Sequence, residues 1–123
     1  MIYETLSAER VCRRNSVKII EICENADYDF KTSDGLTYEV KADSMSLKTG
    51  NFFIEFIGYG QPSGISISKS NYYILSDTEK YYLIETDKLK LLVENCITRK
   101  TADGSTFGYL ISRKIIIENS VCI

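Results

Sequence analysis

Residues 28 to 43 decide the fold: Tyr28-Asp29-Phe30-Lys31-Thr32-Ser33-Asp34-Gly35-Leu36-Thr37-Tyr38-Glu39-Val40-Lys41-Ala42-Asp43. Strand-forming residues on both sides of Ser33-Asp34-Gly35 predict a β-hairpin. In its second arm Tyr38, Val40 and Ala42 share one face and Glu39, Lys41 and Asp43 the other, because successive strand side chains alternate. Loop length sets the register. A two-residue loop, Asp34-Gly35, pairs 29 with 40 and puts Asp29 on the face of Val40, a costly place for an unpartnered carboxylate. A three-residue loop, Ser33-Asp34-Gly35, pairs 32 with 36 and 29 with 39. Such loops end on a left-handed residue, and Gly35 stands at that position. Asp29 then lies across from Glu39 and diagonal to Lys41, with opposed Cβ atoms ~5 Å apart. Carboxylates that close repel each other unless a cation sits between them. Magnesium, or manganese in its place, is the expected ion, since it takes hard oxygen ligands and keeps several waters. The competing reading is a solvated strand face in which Lys41 bridges either acid.

Working outward, residues 2–14 have helix-forming composition with neither Gly nor Pro, and residues 17–23 (VKIIEIC) alternate as a strand. Residues 51–57 (NFFIEFI) are apolar on both faces, which predicts a central strand. Gly58 to Gly64 is dense in turn residues and reads as a loop, followed by a short helix over 65–70. Strands are expected at 72–76 and 80–85, and a helix over 87–95 with Thr86 as N-cap. The tail offers a turn at Asp103-Gly104 and strand-like pieces at 107–111 and 114–117. The expected class is α/β or α+β, a mixed central sheet flanked by two or three helices.

The chain has 123 residues, one Pro and seven Gly, so one domain over 1–123 with no linker is expected. It has no His, which removes Ser-His-Asp and Cys-His nucleophile pairs, imidazole acid–base chemistry and His-ligated zinc. The four Cys, at 12, 23, 96 and 122, show no CxxC spacing and sit beside apolar residues. They read as buried reduced thiols of a cytoplasmic protein. No membrane span is expected, the longest apolar runs being a few residues, such as Ile115-Ile116-Ile117. A net charge of −2 argues against nucleic-acid binding by global charge and leaves room for a local basic patch.

Asp29, with Glu39-Val40-Lys41 ten residues later, resembles the signature of the PD-(D/E)XK nuclease superfamily. That signature is an acid on one strand of a hairpin and an acid-x-Lys on the next. The resemblance extends through YEVKAD, GNFFIEF and PSGISISKSNYYIL to small phage-type members, and covers about residues 2 to 90. The Pro of the motif is replaced by Tyr28, and Asp27 is an alternative for its acid. Asn71 stands where similar phage sequences have an acid.

The resemblance implies a restriction-endonuclease-like core and a magnesium-dependent DNA endonuclease, with structure- or junction-specific cleavage among the activities it suggests, in the host cytoplasm if phage-encoded. It implies that Asp29, Glu39 and the Val40 carbonyl bind the metal. Lys41 would position or deprotonate the attacking water, or stabilise the phosphate charge. A Glu from the first helix often joins; Glu9 is the first choice and Glu4 the second. Lys69 and Ser68, after Gly64-Ile65, and Arg13, in the basic cluster Arg10-Arg13-Arg14-Lys18, are the expected DNA contacts. A 14.0 kDa chain has little surface to grip a duplex, so a homodimer packed through the apolar tail is expected. The alternative place for that tail is the monomer's own core. The alternative function is a non-catalytic nucleic-acid- or protein-binding module that keeps the fold.

Overall fold

A computed structural model of the chain describes residues 2–22 and 28–123. Asp27 and Cys23, both named above, lie outside the described residues. Helix α1 (Ile2–Asn15) is followed by β1 (Ile19–Ile22), then by β2 (Phe30–Thr32) and β3 (Thr37–Ala42). β2 and β3 are the arms of the expected hairpin, in the register Phe30↔Tyr38 and Lys31↔Thr37. The loop is the three-residue one. Thr32 N–H donates to the Leu36 carbonyl at 3.0 Å, and Gly35 adopts φ of 86°, which a Cβ would resist. The Asp34 carboxylate accepts from the Thr32 hydroxyl at 2.5 Å and holds the turn.

A short helix α2 (Ser46–Thr49) leads into β4 (Asn51–Gly58) and β5 (Gln61–Pro62), then a single 3-10 turn at Gly64–Ser66. The antiparallel pair β6 (Tyr72–Ser76) and β7 (Tyr81–Glu85) precedes α3 (Thr86–Val93). Then come β8 (Thr98–Lys100), β9 (Thr106–Ser112), α4 (Arg113–Asn119) and β10 (Val121–Cys122). Among the described residues the strands form two sheets. One has the order β1-β2-β3-β6-β7-β10 and is mixed, because β3 and β6 run parallel. The other, β5-β4-β9-β8, is antiparallel throughout.

The mixed sheet is the centre of the molecule: its inner strands β6 and β7 are buried on both faces, while β1 and β10 at its edges are exposed. One face, through Phe30, Tyr38, Val40 and Ile74, packs on Ala8 and Val11 of α1. The other, through Tyr73, Leu75, Tyr82 and Ile84, packs on Phe52, Ile54 and Ile111 of the second sheet. Leu89 and Val93 of α3 and Ile116 of α4 close that second core. Asn71 ties the parallel junction: its Oδ1 accepts from the Thr37 amide at 2.9 Å and the Thr37 hydroxyl at 3.0 Å. An amide at this position is thereby a register clamp for the start of β3 and β6.

Four expectations are corrected. Residues 51–57 form a strand, but in the second sheet, paired with β9 far along the chain; only its first half alternates buried and half-buried positions. Residues 114–117 are helical, not extended: Ser112 caps α4 by accepting from the Ile115 amide at 3.1 Å, and only Ile116 of the Ile triplet is buried. Glu85, not Thr86, is the N-cap of α3; the Thr86 hydroxyl is buried against Ser70 Oγ at 3.1 Å. Cys12, Cys96 and Cys122 are free thiols, but the first two are half-buried and Cys122 is exposed. Among the described residues, no helix is long and apolar enough to cross a membrane.

Candidate active site

Asp29 immediately precedes β2, and its place follows from the hairpin. Its amide donates to the Tyr38 carbonyl at 2.8 Å, while its Oδ2 accepts from the Val40 amide at 2.7 Å. The carboxylate therefore takes over the strand pairing that β2 would otherwise have supplied. The register carries on to set Asp29 beside Glu39, on the face opposite the buried Val40 side chain. There the two carboxyl groups are close enough to share a hydrogen bond when one is protonated.

That contact adds to the effect of burial on Glu39. Burial comes first, then the Asp29 bond and the Asp29 charge; together they push the Glu39 carboxyl up to about 8. Lys41 pulls it down and Glu4 adds to the rise. Tyr73, the parallel-strand partner of Glu39, is 1% exposed and forms the floor. Burial pushes its hydroxyl above the usual range; Ser68 opposes this, and the charges of Glu39, Asp29 and Glu55 add to it. A neutral Tyr under two carboxyl groups costs less than a third charge would.

Lys41 follows two residues after Glu39, so it shares that strand face, and it is exposed. It lines a cleft of about 270 Å³ together with Glu55 of β4 and Phe52, Phe53 and Leu75. Glu55 went unnoticed in the sequence reading. Its one signal was an acid interrupting the apolar run NFFIEFI.

The first-helix acid that the fold brings to the site is Glu4. Its charge acts on Glu39, and it lies within electrostatic reach of Lys41. Glu9 is exposed and not among the charges felt by Glu39. At ~100° per residue the two acids lie ~140° apart around the helix, and Ser7, Ala8 and Val11 define the buried side. Ser68 is buried and bonded to Ser70 Oγ at 2.9 Å, so it turns inward, while its neighbour Lys69 is exposed. Arg13 is exposed on α1, where it lines a cleft with Arg10, Arg14, Cys122 and Ile123.

Among the described residues, no three Cys, Asp or Glu side chains converge into one metal-holding group. The pair Asp29 and Glu39 is a two-carboxylate donor set. That suits an ion such as Mg²⁺, which is usually held by one or two carboxylates and keeps waters for the remaining positions. No protein-family model and no curated protein matches the chain.

Proposed function

We propose that the protein is a magnesium-dependent DNA endonuclease of PD-(D/E)XK type, with a restriction-endonuclease-like core, that hydrolyses phosphodiester bonds and accepts branched substrates. The observation that carries this reading is the hairpin register, which fixes the Asp29 carboxylate on the Val40 amide beside Glu39, with Lys41 following on the Glu39 strand face. Two acids are rarely brought together at a half-buried position without a cation or proton to hold. Asp29 and Glu39, with the Val40 carbonyl beside them, would hold Mg²⁺ or Mn²⁺. When bound there, the ion polarises a phosphoryl oxygen and lowers the pKa of its water.

The chain's own residues then have separate tasks. The Val40 amide orients Asp29, and burial with the neighbouring Asp29 raises the Glu39 carboxyl. Lys41 holds the attacking water or the scissile phosphate; its ammonium is three donors and no acceptor, so it stands beside the ion and not on it. Tyr73 seals the site from below and keeps bulk water from the buried side of Glu39. Glu4 supplies the first-helix carboxylate. The exposed Ile115 and Ile117 of α4 and Val121 of β10 supply an apolar surface for a second copy, which adds grip on a duplex.

The test is cleavage of supercoiled plasmid and of a four-way junction by purified protein, with and without Mg²⁺. Cleavage should need the metal, and Lys41→Ala should lower its rate about 10²–10³-fold while leaving the unfolding midpoint unchanged. A Lys41→Ala protein that cuts at the wild-type rate would return the EVK segment to the role of a solvated strand face.

A further inference from the structure

A second cleft, of about 310 Å³, opens between the α2 region, β4 and β8. It adjoins the cleft that holds Lys41 and Glu55 at two shared lining residues, Asp43 and Phe53. At its far end stand Arg99 and Lys100 of β8, both exposed. Neither is in an ion pair among the described residues. On a chain of net charge −2, two adjacent cations thus line a cleft next to the one lined by Lys41.

Asp43, the one acid lining this second cleft, is outnumbered by the two cations. The backbone fixes its carboxylate in place: its Oδ1 accepts from the Met45 amide and its Oδ2 from the Phe53 amide, each at 3.0 Å. Phe53 is half-buried and held in place from behind. The end of its ring lies over Gly108 of β9, where a Cβ would come within 2.5 Å of the ring. Glycine at 108 thus lets an aromatic ring lie against β9 while it lines the groove.

We infer that this groove holds a neighbouring nucleotide of the strand being cut, with its base against Phe53 and its phosphate on Arg99 and Lys100. The inference rests on the nuclease reading above and names the substrate path for it. An aromatic side chain stacks any base, and two cations beside it meet the backbone, which is the chemistry of single-strand tracking. A cleft of about 310 Å³ has room for one nucleotide.

The experiment measures binding of a fluorescent single-stranded 12-mer deoxyoligonucleotide by anisotropy, with Ca²⁺ in place of Mg²⁺. Arg99→Ala/Lys100→Ala should weaken it about tenfold or more. It should also flatten the plot of log affinity against log salt by about 1.4, at ~0.7 per lost single-strand contact. Lys88→Ala/Lys114→Ala makes the same charge change on α3 and α4 and should change neither. Phe53→Leu, which keeps an apolar side chain on Gly108, should weaken binding several-fold with the salt slope intact. Arg99→Gln/Lys100→Gln repeats the charge loss with longer side chains, should β8 fail to fold with alanine. If wild type binds and the Arg99/Lys100 variants bind equally well, the groove assignment is overturned, even where plasmid is cut. If they lose binding while plasmid stays intact with Mg²⁺, the groove stands and the nuclease reading falls. No binding by wild type overturns the groove assignment, and the nuclease reading then stands or falls on the plasmid assay alone.

Discussion

At Glu39, burial and the neighbouring Asp29 both oppose ionisation, and this has a measurable consequence. The folded carboxyl is raised from an ordinary 4.5 to about 8. Between those values the folded chain binds more protons than the unfolded one, so stability must fall as pH rises through that window. The chain has no His, and the carboxylates held below the ordinary range, Asp34, Asp77 and Asp103, titrate beneath it. The metal-free protein should therefore unfold at a lower temperature at pH 8 than at pH 5. Glu39→Gln should flatten that slope, and a slope that survives in the variant would place the titrating group elsewhere. Glu4→Gln should slow plasmid cleavage while Glu9→Gln does not; equal effects would separate the first helix from the site. Asp29, Glu39 and Lys41 were legible because a hairpin has period two and a loop that fixes its register. The choice between Glu4 and Glu9 was not, because α1 has weak apolar periodicity and its buried side is marked by Ser7 and Ala8.

Among the elements, the hairpin was the most legible, since Gly35 supplies the one positive φ that a three-residue loop demands. α4 was the least. An Ile triplet has strand propensity, yet the Ser112 cap and the single buried Ile116 favour a helix, and tertiary packing decided. β4 was recognised as a strand but not as part of a second sheet, because nothing local reveals a partner as distant as β9. The turn after β5 is set by Gly64, whose φ is 52° and whose Cα lies so near Glu55 that a Cβ would collide with the Glu55 carbonyl. Gly64→Ala should cost about 1–3 kcal/mol in chemical denaturation, from left-handed backbone and displaced β4 together. A change under half of that would mean the turn moves freely. The Asp77 carboxylate, 1% exposed, joins the β6–β7 turn to α4. It accepts from the Lys80 amide at 2.8 Å, the Glu79 amide at 2.9 Å and Arg113 Nη2 at 2.7 Å. Burial alone would raise it, but these partners outweigh burial and hold it low. Asp77→Ala should destabilise by about 2–4 kcal/mol, seen as a lower urea midpoint, because two amides and a guanidinium lose their acceptor.

Across the whole molecule, the mixed sheet is covered by α1 on one face and by the second sheet with α3 and α4 on the other, and the Asp29–Glu39 pair sits where β2 pairs with β3, inside the edge strand β1. The apolar tail serves the chain's own fold: β10 pairs with β7 through Val121↔Leu83 and Cys122↔Tyr82. It still leaves Val121 44% exposed beside Ile117 at 47%, the surface on which the proposed dimer would form. Light scattering at micromolar concentration should give twice 14.0 kDa, and Ile117→Glu should return one chain mass. A monomer for the wild type would leave each site to act alone. The central claim, that Asp29 and Glu39 together form a divalent-cation site, is tested most directly by calorimetric titration of Mg²⁺ at pH 7 in two buffers of different ionisation heat. With Glu39 near 8, binding should take one ion per chain and release most of one proton, so the heats in the two buffers should differ. Asp29→Asn and Glu39→Gln should each abolish the binding and the proton. Binding that persists in both variants with no proton released, or no binding by the wild type at millimolar Mg²⁺, would contradict it.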